Sequence, residues 1–183
     1  MAYLLDTNAF FEILCETAEI SLPGAKGYSE KIKGKPCYIS RVTLIEIISV
    51  IGKYGRGETK GWQVCNRIIG ENGEKCPNRF FNPGRKKWNR KRVMGMFKLV
   101  NEVTTGKSAL LRLGVLPVTE PVLQEAERFI HNAVTHKFAT MDAIIVATAK
   151  IYEREHKEKM TILTADKSLL GAIRMEQREM LAD

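Results

Sequence analysis

A chain of 183 residues, 44% of them hydrophobic, can bury one substantial core, so a single domain over 1–183 is expected. No apolar run is long enough to span a bilayer, and the N-terminus lacks the basic region and small-residue cleavage site of a signal peptide. The net charge of +8 comes from one segment: residues 53 to 98 hold thirteen Lys/Arg against Glu58, Glu71 and Glu74, and the remainder is weakly acidic at −2. That asymmetry points to contact with a polyanion.

In chain order, residues 2 to 6 predict a strand, and 8 to 20 a helix with apolar Phe10, Phe11, Ile13, Leu14 and Ala18. A Gly/Pro/Lys-containing connection runs from 21 to 35. Cys37, Tyr38 and Ile39 predict a second strand, and Ser40 can cap a helix over about 41 to 53 whose apolar positions predict burial on more than one side. A basic insertion at about 54–107 follows, rich in Gly and Pro, with helices expected at 90 to 101 and near 107 to 113. Val115 to Val118 form the third strand candidate, and Thr119 precedes a helix with Pro121 in its first turn. Residues 140 to 155 predict the clearest helix, Thr161 to Thr164 the fourth strand, and 167 to 181 a helical tail. Repeated β–α units of this kind predict a mostly parallel sheet with helices on both faces.

Cys15 and Cys37 fall in core-like patterns, and Cys65 and Cys76 lack the Cys or His partners that zinc would need. A reduced, cytoplasmic protein is the reading that fits. TTGKSALL at 104 to 111 resembles the end of a phosphate-binding loop, but position 101 is Asn where that loop requires Gly. His131, His136 and His156 have no catalytic partners at motif spacing, and no nucleophile motif supports covalent catalysis.

Four carboxylates occupy unusual positions. Asp6 ends the first strand in YLLDTNAF, Glu46 interrupts the apolar VTLIEIISVI, Asp142 heads the helix MDAIIVATAK, and Asp166 follows the strand TILTA. Asp6, Asp142 and Asp166 each have a structural reading, as a cap, a first-turn acid and a turn residue. Glu46, in an apolar run, is expensive to bury unless paired or bound to a cation. In a parallel sheet, however, the ends of the first and fourth strands share one edge, and helices starting there bring Glu46 and Asp142 to it. Four carboxylates cannot share a site without a compensating positive charge. A hard divalent cation such as Mg²⁺ or Mn²⁺ supplies it and suits phosphodiester hydrolysis by activated water.

LLDTN, SRVTLIEI, MDAIIVATA and ILTAD, in this order, resemble the motifs of PIN-domain ribonucleases, and most closely the VapC-type toxins of prokaryotic toxin–antitoxin pairs. The resemblance covers roughly residues 1 to 53 and 110 to 170. It implies a three-layer α/β/α sandwich and Mg²⁺- or Mn²⁺-dependent endoribonuclease activity. Asp6, Glu46, Asp142 and Asp166 would be catalytic metal ligands, with Asn8 and Thr164 orienting carboxylates or water. It also implies a homodimer and a small antitoxin partner. The chain departs from the family in its length, in the segment 55 to 107, and in lacking a last strand after Asp166. An RNA-processing nuclease without an antitoxin, or a non-catalytic RNA-binding module, are the alternatives.

NRFFNPGRKKWNRKRV, at 78 to 93, interleaves aromatic with basic residues. Arg79, Arg85, Lys86, Lys87, Arg90, Lys91 and Arg92 are candidate RNA-phosphate contacts, and Trp88, with Phe80 and Phe81, a candidate base-stacking ring. A solvated loop pinned by its aromatics, or an arm for an acidic protein, would use the same residues.

Overall fold

The structure is a computed structural model that describes residues 1–179 apart from 59, 66, 67, 70, 71, 83, 85, 109 and 110, and apart from the side chains of 69 and 176–179. Its elements in chain order are β1 (Ala2–Leu5), α1 (Thr7–Thr17), α2 (Tyr28–Ile32), β2 (Cys37–Ser40), α3 (Arg41–Arg56), β3 (Gly61–Val64), β4 (Ile68–Ile69), β5 (Glu74–Lys75), β6 (Arg79–Asn82), α4 (Arg90–Thr104), β7 (Gly114–Leu116), α5 (Glu120–Ile130), a 3₁₀ turn (His131–Val134), α6 (Thr140–His156), β8 (Met160–Leu163) and α7 (Lys167–Glu179). They fall into two compact units, Met1–Ile48 with Met96–Asp183, and Ser49–Gly95.

The larger unit is built on a four-stranded, wholly parallel sheet in the order β7-β2-β1-β8. Leaving β1, the chain moves outward through β2 to β7, then returns across the sheet to place β8 on the other side of β1. Right-handed crossovers therefore put α1 and α3 on one face and α5 with α6 on the other. The connections reverse direction between β1 and β8, which makes the carboxyl ends of these two strands the crevice of the sheet.

Burial follows the strand and helix periods. Leu4 and Leu5 of β1 and Ile39 of β2 are completely buried, as a strand covered on both faces requires. Val122, Ala126 and Phe129 of α5 face Ala143, Val146 and Ala147 of α6 in the main apolar cluster. Small alanines on α6 let the two helices approach closely. The buried Glu125 of α5 accepts hydrogen bonds from Lys150 Nζ and Arg154 at 2.9 Å each, which hold its carboxyl below the usual range despite burial.

The smaller unit contains a two-stranded antiparallel hairpin. β3 pairs with β6 and β4 with β5, with three residues separating the two pairings on each side, so both share one register. Cys65 N donates to Asn78 O at 2.9 Å and extends the β3–β6 ladder by one residue. At its base, Gly84 adopts φ +76°, and a Cβ there would lie 2.8 Å from Lys60 N, so only glycine fits the turn.

Three expectations are corrected. The described residues between 107 and 113 form no helix: Gly106, with φ +72°, closes the turn after α4, and the described residues from there to β7 have no regular structure. The Gly/Pro-rich connection of 21 to 35 contains the short α2. The helix carrying Glu46 is less buried than its apolar content suggests: Ile45 and Ile48 are 61% and 48% exposed.

Candidate active site

Three of the four acids stand at the ends of elements, Asp6 after β1, Asp142 at the start of α6 and Asp166 after β8, while Glu46 lies within α3. Asp6 follows β1 and is buried, 3% exposed. Its Oδ1 accepts from Thr7 N at 2.6 Å, capping α1, while Oδ2 accepts from the hydroxyl of Thr164 at 2.7 Å. Thr164 Oγ1 in turn accepts from Asp166 N at 3.0 Å. This buried hydroxyl thus ties the ends of β1 and β8 into one hydrogen-bonded unit. Asp166 caps α7, accepting from Ser168 N at 2.7 Å and Leu169 N at 3.1 Å. Asp142, in the first turn of α6, accepts from Ala139 N at 2.8 Å. Glu46, two turns into α3, accepts from the Thr7 hydroxyl. Thr7 was not singled out from the sequence; its place between Asp6 and Asn8 in the strand-end motif was the available signal.

Electrostatics link the set. Burial pushes the Asp6 carboxyl up, its two hydrogen bonds pull it down, and the charges of Asp142 and Glu46 push it up again. Burial likewise raises Asp142, opposed by the Ala139 N–H and reinforced by the charge of Asp166. Each acid therefore feels at least one other. The N-termini of α1, α6 and α7 bring partial positive charge to the same edge, which favours carboxylates there.

The donor set is all carboxylate oxygen, the chemistry that suits Mg²⁺ or Mn²⁺. Glu46, Asp142 and Asp166 each keep one oxygen with no hydrogen-bond partner among the described residues. Among the described residues no three His, Cys, Asp or Glu side chains form a group that could hold a metal ion. Asn8 is exposed on the first turn of α1 and makes no hydrogen bond to the acids among the described residues. It lines a cleft of about 290 Å³ together with Tyr28, Asp166 and the loop at 22–26.

In the smaller unit, Arg79 lies on β6, and Arg90, Lys91 and Arg92 open α4; with Lys86 and Lys87 all are exposed, while Arg85 lies outside the described residues. Trp88 is a correction. It is 7% exposed and stacks on Tyr54 with ring centroids 4.4 Å apart, so its ring is engaged within the unit instead of offered to a base. The exposed aromatics belong to the hairpin. Trp62, 71% exposed, meets Phe81 edge-on at 5.6 Å, and Lys60 Nζ lies 6.0 Å from the Phe81 ring centre. Strand alternation places Val64 and Arg79 on the same face as Trp62 and Phe81, and Ile68 pairs with Lys75 in the second ladder. Sequence reading missed Trp62 because it lies outside the densest basic run.

No protein-family model matches the sequence, and no curated protein matches it. Solved structures do resemble it. FitAcB from Neisseria gonorrhoeae shares 19% identity at a TM-score of 0.53, over 93% of this chain and 91% of that one. VapBC2 from Rickettsia felis, bound to a DNA fragment from their promoter, shares 11% identity at a TM-score of 0.46, over 88% of this chain and 98% of that one. The likeness to FitAcB shows the fold: an α/β domain with a parallel central sheet flanked by helices.

Proposed function

We propose that this chain is a metal-dependent endoribonuclease that acts as the toxin of a toxin–antitoxin pair. The observation that supports the reading is that Asp6 lies at the reversal point of the sheet, where burial and then the charges of Asp142 and Glu46 push its carboxyl up, while burial and then the charge of Asp166 push up Asp142. Active sites are where such unfavourable like-charge arrangements are concentrated. Asp6, Glu46, Asp142 and Asp166 would hold Mg²⁺ or Mn²⁺, which when bound supplies an activated water and neutralises the phosphate. Thr164 and Thr7 are positioning residues, fixing the rotamers of Asp6 and Glu46 through their hydroxyls.

Partners follow from the same surfaces. RNA is drawn by the basic unit; an antitoxin segment would cover the acidic crevice; and Ile45 and Ile48, exposed on α3, are the apolar residues a homodimer of these units would bury. No helix among the described residues is long and apolar enough to cross a membrane, in keeping with a cytoplasmic setting.

The test is cleavage of labelled tRNAs and single-stranded RNAs by purified protein, free of any co-purified antitoxin, with Mn²⁺, Mg²⁺ or EDTA. The Asp6→Asn variant should lose about a hundredfold or more in rate, and EDTA should abolish cutting. Tight RNA binding with no cleavage under either metal would instead identify a non-catalytic RNA-binding module.

A further inference from the structure

We infer that the cleft beside Asp166 is a nucleobase subsite, taking the base of one nucleotide next to the cleaved phosphodiester and reading its edge with Asn8. The inference rests on the nuclease reading and adds to it the place where sequence preference arises. At about 290 Å³ the cleft lies at the small end of ligand sites, enough for one splayed base and too little for a duplex. Its walls are mixed. Leu22, Pro23 and Ala25 supply an apolar surface against which a ring can lie, while Glu12, Lys26, Tyr28 and Asp166 add polar and charged groups to the lining. Asn8 is exposed there with both a donor and an acceptor on its amide. Single-stranded RNA is read this way, by stacking or apolar contact with an unpaired base and hydrogen bonds to its edge.

The cleft is continuous with the acids. Asn8 lies two residues after Asp6, and Asp166 forms part of both. The charges of Glu12 and Asp6 both act on the Tyr28 hydroxyl, raising it after burial has done so, which places the phenol within reach of the Asp6 field. The wall is also held in place before any ligand arrives. Glu12, buried beneath the loop, accepts from Lys26 N at 2.7 Å and Tyr28 N at 3.3 Å, and Gly24 and Gly27 take the left-handed turns at φ +74° and +65°. A preformed wall avoids an ordering cost on binding.

Two readouts test this. In the first, the four nucleoside 5′-monophosphates are titrated into ¹⁵N-labelled protein while the Asn8 side-chain amide and the Gly24 and Gly27 amides are followed. One base should bind about tenfold more tightly than the weakest, and Ala25→Trp, which fills the cleft, should erase the difference. In the second, a randomised RNA is cut and sequenced, and Asn8→Ala should flatten the base preference at one position beside the cut by a similar factor. Asn8 is surface-exposed, so this variant carries both readouts if Ala25→Trp fails to fold. Equal binding of all four bases, or a cut-site preference unmoved by either variant while cleavage persists, overturns the subsite and leaves the nuclease reading standing. Base-selective binding at these residues in a protein that cuts no RNA does the reverse.

Discussion

Three of the four acids cap helices, so at the scale of single residues a structural role and a proposed catalytic one coincide. Asp6, Asp142 and Asp166 accept backbone N–H groups at the starts of α1, α6 and α7. Capping explains why an aspartate is tolerated at each place; the mutual repulsion is what capping alone would not select. Burial of the Asp142 charge, with the repulsion of Asp166 adding to it, has a measurable cost. The folded-state pKa of Asp142 is raised above its ordinary 3.8. The native state therefore binds more protons than the unfolded chain in the window just above that value, and stability falls as pH rises through it. At neutral pH the full deficit remains. Asp142→Asn keeps an oxygen for Ala139 N and removes the charge, so its melting temperature at pH 7, without divalent metal, should exceed that of the wild type. The gain should shrink as pH falls toward 4. A variant less stable than wild type at pH 7 would show that the cap outweighs the repulsion.

Elements set where those residues can meet. The strand order β7-β2-β1-β8 puts the reversal point between the strands that end in Asp6 and Thr164. β7, at one edge, depends on a different device. Gly114 is in register with Tyr38 of β2, and a Cβ on it would stand 2.5 Å from the tyrosine ring. The ring thus covers a glycine where no other residue fits. Gly114→Ala should cost about 1–3 kcal/mol, measured by urea denaturation, and loss of β7 pairing would appear as faster amide exchange at Val115 and Leu116. At the opposite edge, Ala2 N donates to Lys159 O and Asp6 N to Leu163 O, so Met160 and Ile162 turn their backbone groups outward. Glu153 accepts from Met160 N at 2.7 Å and covers part of that edge with charge.

On the whole-molecule scale the chain separates its charges. The unit Ser49–Gly95 holds all but Lys98 of the thirteen basic residues of the segment 53 to 98, while the acids of the proposed active site belong to the other unit. If the hairpin face grips RNA, as proposed, its residues should separate by type. Replacing Lys75 or Arg79 by Ala should weaken binding across sequences and lower the salt dependence by roughly one phosphate contact each. Trp62→Ala should cost about 1–3 kcal/mol with single-stranded RNA and change the salt slope little. Unchanged affinity in all three would move RNA binding off the hairpin. Such a ribbon with an aromatic, aliphatic and basic face is not stable by itself, and Tyr54, Trp88 and the Gly84 turn anchor its base.

The sequence alone determined the order of the four strands of the parallel sheet and of their main helices, marked the four acids as candidates and located the basic segment, because hydrophobic period, capping residues and charge runs are local quantities. The hairpin strands β3–β6 and the short α2 were not legible in it. Only the tertiary structure decided which acid is buried, since the hydroxyl that orients Asp6 comes from Thr164, at the far end of the chain. Trp88 looked exposed among lysines and arginines until its stacking on Tyr54 withdrew it. Nothing in the sequence joined Tyr28 to Asn8 until the Glu12 carboxylate tied down the loop that lies beside Asp166. The two ladders agree in register, which no single strand records. In each case a side chain's role depends on a partner remote in sequence, and composition or periodicity reports only whether that side chain needs one.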